Sequence, residues 1–534
     1  MRRCAFVFFA LIFIPRFGLC QSQATQNADS DAGTIVPATN TYWWAGIIED
    51  GFKMPLTNGY VIDVRGDNHQ NQIQPLLLSS QGDVIWSKGP FKLEFKEGGK
   101  PLLDHAREEP VIQSKTGDSL REAFLFASRK YFPPSGKTPD ELLFSSPQYN
   151  TWIELMYDQN QKDILKYAEG IKSHGFPPGV IMIDDNWQED YGKWDFNKGK
   201  FSDPQAMVAA LHAEGFKVML WVCPFVSPDC DVYRDLAEKD LLVKDDSGEP
   251  AIIRWWNGAS AMLDFTNPKA VAWFRSRLDY LRSTYLVDGF KFDGGDSSFY
   301  CGIKTAQTAT PNAQTALYGE IGLHYPLNEY RAMWQMGGQP LGERLSDKAH
   351  SWEDLGKLIP NMILEGLMGY PFSCPDMIGG GEFTSFLPGK PIDQELIVRS
   401  AQCQALMPMM QFSVAPWRVL DEPHLKAVIK AIKVRETCKD YILGLARQSA
   451  VTGEPIVRSM EYTFPHCGYA QVKDQFLLGE EILVAPILGK NMAGRKVIFP
   501  PGTWKGFNGE EYKGPGTFFV AVSDDDLCFF KKIK

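Results

Sequence analysis

A chain of 534 residues is too long for one ordinary domain, so a large unit with smaller attached modules is expected. A formal net charge of −10, with no Lys/Arg-dense segment before the terminal KKIK, excludes a broad cationic field and therefore nucleic acid as a partner. Aromatic residues make up 13% of the chain, including 14 Trp, which suits a cleft that stacks against sugar rings.

The first residues, Met1-Arg2-Arg3, precede an apolar run from Cys4 to Ile14, the pattern of a basic n-region and an h-region. Residues 1–21 are expected to be a signal peptide and the mature chain secreted or lumenal. Pro15 and Arg16 stop the run well short of the roughly 20 residues a spanning helix needs, so no membrane span is expected after its removal. Residues 22–40 are polar, small and short of large apolar side chains, as in a disordered leader. Cys223 and Cys230 are close enough in sequence to pair in an oxidising compartment, and no cysteine spacing fits a zinc site.

Over residues 41–147, runs such as YVIDV, DVIWS and FKLEF are separated by Gly, Asn and Asp, which predicts an N-terminal β-sandwich. At Tyr149 the pattern changes. TWIELMY, GVIMIDDNW, KVMLWVCPF, DGFKFDGGD, PLGER, HSWED, YPFSCPDM and MPMMQFS read as strands, with helices over 162–174, 205–214, 269–285 and 358–368. This βαβα order predicts a parallel sheet, and about eight strands favour a closed (β/α)8 TIM barrel over 148–440, an α/β fold. Residues 441–534 return to short strands (QFLLG, EILVAPIL, RKVIFP, GTFFVAV), a small C-terminal β-domain.

Neither a dinucleotide-binding glycine motif nor a P-loop is present, and no cofactor is expected. No Ser-His-Asp or Cys-His arrangement offers a nucleophile. Hard-oxygen ligation of a metal by Asp184, Asp185, Asp293 and Asp376 lacks calcium-loop spacing, and no metal is expected. In a barrel of this kind the catalytic groups close the strands, and the residues that do so here are carboxylates and tryptophans: Asp184, Asp185, Trp187, Trp221, Lys291, Asp293, Asp296, Trp352, Glu353, Asp354 and Asp376. Two carboxyls facing each other across a bond are the minimum apparatus of glycoside hydrolysis. In FKFDGGD a lysine two residues before Asp293 helps keep that carboxylate ionised, and the glycines admit a close approach.

HGFPPGVIMIDDNW, LHAEGFKVMLWVCPF, RWWNGASAMLDFTNP, FKFDGGD, GYPFSCPDMIGG, MPMMQFSVAPWR, QFLLGEEILVAPI and FPPGTW, in this order, resemble glycoside hydrolase family 31, and within it an α-galactosidase-like group. The resemblance implies a retaining, exo-acting hydrolase of terminal α-linked hexoses, with α-galactoside favoured, α-glucoside the alternative and an inactive glycan- or protein-binding relative the rival. It implies Asp293 as nucleophile at the end of strand four. The family's acid/base closes strand six in a Trp-Gly-x-Asp-like context, which HSWEDLG matches with one residue fewer, giving Asp354, with Glu353 as fallback. It further implies sugar contacts from Asp184 and Asp185, pocket positions at Trp221, Trp256 and Asp264, a sugar-contacting or supporting carboxylate at Asp296 and a basic residue at Arg344 upstream of the acid/base; Trp187, Lys291, Trp352 and Asp376, which close strands on the same rim, are taken as substrate-binding too. Asp296 stands where the group usually has Glu. The expected partner is a small oligosaccharide or glycoside. The two catalytic carboxyls are expected about 5–5.5 Å apart for retention.

Overall fold

A computed structural model describes residues 41–534. The expected signal peptide and leader lie outside the described residues. Among the described residues, no helix is long and apolar enough to cross a membrane.

The first unit is built of antiparallel strands. Trp43–Ile47, Gln72–Ser79, Asp83–Ser87 and Val111–Lys115 form one sheet, and Val61–Asp63, Phe91–Lys96 and Lys100–His105 form another. FKLEFK alternates buried and exposed along its length, the signature of a strand with one face on the core. The helix Leu120–Tyr131 follows, started by Ser119, whose side chain accepts from Glu122 N.

Eight parallel strands then form the barrel: β1 (Gln148–Asn150), β2 (Val180–Ile183), β3 (Lys217–Val222), β4 (Gly289–Phe292), β5 (Leu327–Tyr330), β6 (Glu343–Arg344), β7 (Ser373–Cys374) and β8 (Gln411–Phe412). β1 pairs with β8, and an isolated parallel bridge from Met377 to Gln411 links the segment after β7 to β8, which nearly closes the ring. The helices Gln161–Ser173, Pro204–Ala213 and Pro268–Tyr285 lie where the apolar periodicity predicts them, each started by an Asn or Asp cap.

Three strand assignments need correction. TWIELMY contributes a short helix, Trp152–Leu155, and the first strand lies just before it. HSWED is no strand: Ser351 caps the helix Trp352–Leu367, accepting from Asp354 N at 3.1 Å. The strand overlooked is β5, LNEY, because Asn328 and Glu329 break its apolar run. Both are nevertheless buried, Asn328 donating to Tyr325 O at 2.8 Å and accepting from Gly342 N at 2.8 Å, and Glu329 accepting from Gln411 Nε2 at 2.6 Å. PLGER is therefore β6.

The helix Glu422–Thr452 runs through the expected boundary at 440 and ends at Gly453, whose φ of 79° is left-handed. Beyond it Val457–Arg458, Phe476–Leu478, Ile482–Val484, Phe529–Lys532, Gly494–Gly506 and Glu511–Ala521 make a six-stranded antiparallel sheet with its own core around Val497, Phe499, Trp504 and Phe530. Cys223 and Cys230, near enough in sequence to be candidates for pairing, are separate buried thiols.

Candidate active site

β4 alternates: Phe290 and Phe292 pack outward on Tyr325 and Tyr330, which leaves Lys291 on the inward face. Its Nζ lies 2.7 Å from Asp184 Oδ2 and 4.0 Å from Asp293 Oδ2. Burial presses the Lys291 ammonium down, but Asp184 and Asp293 outweigh this and hold it above the ordinary lysine range.

Asp293 closes β4. Its Oδ1 accepts from Gly294 N at 2.9 Å and from Arg331 Nε at 3.2 Å, and its Oδ2 accepts from Trp221 Nε1 at 2.9 Å. Burial pushes the carboxyl up, yet Arg331, Lys291 and Arg344 together hold it well below the usual carboxylate range. With 13% of its side chain exposed, Asp293 is an ionised carboxylate that is fixed on three sides and open on one.

Arg331 escaped the sequence reading, because it follows the strand LNEY that the reading did not recognise. It is largely buried, and Nη2 lies 2.7 Å from Asp296 Oδ2 while Nη1 donates to Gln70 O at 2.9 Å. Asp296 also accepts from Asn68 Nδ2 at 3.3 Å, so residues of the N-terminal unit finish this edge of the site. Asp296 thus serves as counterion to the arginine that binds Asp293.

Asp184 and Asp185 close β2 and are both buried. Asp184 is paired with Lys291, whereas Asp185 accepts from Asn257 Nδ2 and from Tyr191 OH at 3.3 Å. Burial and the neighbouring charge of Asp184 push Asp185 up to about 7. Arg344, at the end of β6, points into the barrel, with Nη1 2.8 Å from Asp376 Oδ1 and 2.8 Å from Asp347 Oδ1, and Nε 3.4 Å from Glu329 Oε1. Asp376 has a φ of 95°, a backbone conformation that costs about 1–3 kcal/mol outside glycine. Its Oδ2 accepts from Lys348 N at 2.8 Å and Gly381 N at 3.0 Å, tying the loops after β6 and β7 together.

The tryptophans divide by place. Trp221 holds Asp293, donating from Nε1 to Oδ2. Trp256 is 48% exposed, with the Arg331 guanidinium 5.5 Å above its ring, and forms a platform at the mouth. Trp187 is fully buried beneath the site, donating to Trp221 O at 2.8 Å and packed on Phe196, so it supports the site and has no face open to a sugar. Trp352 donates to Asp393 Oδ2 at 3.1 Å from the start of its helix. Asp264 is a turn residue: its carboxylate accepts from Thr266 N and Oγ1 and from Ala306 N at 2.9, 2.6 and 2.6 Å.

Asp354 occupies the first turn of the helix Trp352–Leu367. Oδ1 is 2.7 Å from Lys357 Nζ and Oδ2 accepts from Ala349 N at 2.7 Å. Glu353 points to solvent, 3.1 Å from the same lysine. The structure therefore gathers Asp184, Asp185, Trp221, Lys291, Asp293, Asp296, Arg344 and Asp376 with Arg331 at the C-terminal rim, with Trp256 at its mouth. It leaves Trp187, Asp264, Trp352 and Glu353 out of that group, while Asp354 contacts Lys357 and Ala349 and lines a small cavity with Asp376.

Fold and site together put the chain in the class of (β/α)8-barrel proteins that collect carboxylates and tryptophans where the strands end. The TIM-barrel domain of the glycosyl hydrolases family 31 matches residues 146–346 and the C-terminal domain of the same family matches residues 453–532. The myogenesis-regulating glycosidase of Mus musculus is 34% identical over 432 residues, covering 78% of this chain and 60% of that one. The lysosomal alpha-glucosidase of Mus musculus is 24% identical over 499 residues, covering 80% of this chain and 51% of the relative. A Flavobacterium johnsoniae family 31 dextranase solved with glucose superposes with a TM-score of 0.81 at 20% identity, over 94% of this chain and 66% of that one. The chain belongs to glycosyl hydrolase family 31. It spans about half to two thirds of the length of these relatives.

Proposed function

We propose that this chain is a retaining, exo-acting α-glycosidase that removes a terminal α-linked hexose, with α-galactoside as the favoured substrate. The observation that carries the reading is Asp293: a largely enclosed carboxylate kept ionised by Arg331, Lys291 and Arg344, and open on one side. A nucleophile in this reaction must be unprotonated and must not reorient as it attacks, and three hydrogen bonds to its two oxygens meet both needs. An Asp293 oxygen attacks the anomeric carbon as the bond to the leaving oxygen breaks, forming a glycosyl-enzyme, and water then releases the sugar with its original configuration.

Asp184, Asp185 and Lys291 form the buried polar floor, suited to the hydroxyls of a single sugar unit, and Trp256 at the mouth offers a face to the unit beyond the bond. The preference for galactose rests on the resemblance to the α-galactosidase-like group. Relatives named as α-glucosidase and α-xylosidase make glucose the first alternative.

The test is hydrolysis of paired p-nitrophenyl α-galactoside and α-glucoside by wild type and Asp293→Asn between pH 5 and 7. Turnover of the galactoside, with the α-anomer as first product and about 10³-fold or greater loss in the variant, is expected. Faster hydrolysis of the glucoside would reassign the sugar. Silence on both would favour a binding protein.

A further inference from the structure

Retaining hydrolysis needs a second carboxyl, on the leaving-group side of the bond, that gives up a proton and later takes one from water. We infer that Asp347 is the general acid/base of this chain and that Asp354, to which the tryptophan-to-aspartate spacing points, is a helix-capping residue. The inference rests on the reading of the site as a retaining α-glycosidase.

Position comes first. Asp347 lies three residues beyond β6, in the loop at the C-terminal rim where barrel enzymes keep their reactive groups. Its side chain is 40% exposed, whereas Arg344 and Asp376 beside it are sealed. A group that must meet both the leaving oxygen and incoming water requires that access. Asp354 lies further along the chain, with one oxygen on Lys357 and the other on Ala349 N, while its own N–H completes the Ser351 cap.

Charge and contact then connect Asp347 with the nucleophile. Arg344 Nη1 donates to Asp347 Oδ1 at 2.8 Å, and the same guanidinium interacts with Asp293. Arg331, which binds Asp293 directly, also feels the charge of Asp347. Each arginine thus contacts one of the two carboxylates and feels the charge of the other. Asp376 fixes the loop, since its Oδ2 accepts from Lys348 N, the residue next to Asp347. Gly381 leaves the room: a Cβ there would stand 2.6 Å from Asp376 Oδ1 and 3.0 Å from Asp347 Oδ1. Burial pushes Asp376 up to about 7, with Arg344 opposing and Asp347 adding to the rise.

In the first step the bond from Asp293 to the anomeric carbon forms while the glycosidic bond breaks, and the Asp347 proton passes to the leaving oxygen. In the second, Asp347 carboxylate takes a proton from water, the water oxygen bonds to the anomeric carbon, and Asp293 departs as carboxylate.

The experiment compares Asp347→Ala, Asp347→Asn and Asp354→Ala on α-galactosyl fluoride and methyl α-galactoside, or on the glucosyl pair if that is the sugar the wild type cleaves, with and without sodium azide. Fluoride departs with little need of a proton, methanol does not. Asp347→Ala and Asp347→Asn are expected to lose about 10²–10⁴-fold in kcat/KM on the methyl glycoside and less than about 10-fold on the fluoride. Azide should restore turnover of Asp347→Ala and yield the α-glycosyl azide, while Asp354→Ala should change Tm and leave this ratio alone. Asp347→Asn keeps the shape that meets Arg344, which guards against a merely misfolded alanine variant. Azide rescue in Asp354→Ala but not in Asp347→Ala, or wild-type hydrolysis of the methyl glycoside by Asp347→Asn, overturns the assignment. A wild type inert to both fluorides overturns the glycosidase reading itself, and the assignment with it.

Discussion

Asp185 is a carboxylate whose hydrogen-bond partners are the neutral side chains of Asn257, Tyr191 and Gln188. Burial, with the charge of Asp184 added, pushes it up to about 7, so near neutrality the fold spends stability to keep it ionised. A raised carboxyl contributes most below the unfolded pKa of about 3.9, and that contribution is lost as pH climbs through the folded value near 7. Gln188 Oε1 is buried without a partner and can receive an amide from an asparagine at position 185 once its own amide turns over. Asp185→Asn is therefore expected to raise Tm little at pH 5 and by roughly 2–4 °C at pH 8, while catalysis falls. Thermal melts across that range check it; a gain that shrinks with rising pH would contradict the burial argument. The Asp pair in IDDNW is plain in the sequence. That one member meets a lysine and the other only neutral groups is not, because Lys291 and Asn257 come from distant segments.

At the scale of the element, the turn after β4 carries two consecutive left-handed glycines, Gly294 at φ 68° and Gly295 at φ 72°. They swing the chain so that Asp293 stays at the rim while Asp296, three residues on, comes back to meet Arg331. A Cβ at Gly295 would lie 2.4 Å from the Tyr318 ring, and Tyr318 is buried behind it. Gly295→Ala is expected to cost about 1–3 kcal/mol in stability and to lower kcat/KM by displacing Asp293 and Asp296 together. Denaturant unfolding and steady-state kinetics measure both, and an alanine variant with wild-type values for each would show that the turn is not needed to hold the pair. The helices were readable from their caps and periodicity. β5 was not: a strand written LNEY is polar by composition, and only its partners Gln411, Arg344 and Gly342 make its burial tolerable. Misplacing that one strand is also what shifted strand six onto HSWED.

Across the whole molecule, the barrel does not complete its own site. Met333–Trp334, just after β5, pairs in parallel with Gln72 and Ile73 of the N-terminal sheet, and the preceding residues Asn68 and Gln70 reach Asp296 and Arg331. Asn68 also accepts from Ser297 N at 2.8 Å. Asn68→Ala is accordingly expected to lower kcat/KM by about 10-fold through loosening the Arg331 and Asp296 pair, at a cost of about 1–2 kcal/mol in stability. Kinetics alongside thermal melts test this; unchanged kcat/KM in a destabilised variant would leave the N-terminal unit a purely structural role. The sequence by itself determined the three-part organisation, the barrel, the family and Asp293, since each is written in local periodicity or in a contiguous motif. The tertiary structure alone decided that Arg331 joins Lys291 beside that carboxylate and that Asn68 stands behind the pair. Arg331 and Asn68 belong to segments that show no motif of their own, and electrostatic pairing depends on distance in space, which separation along the chain does not reveal.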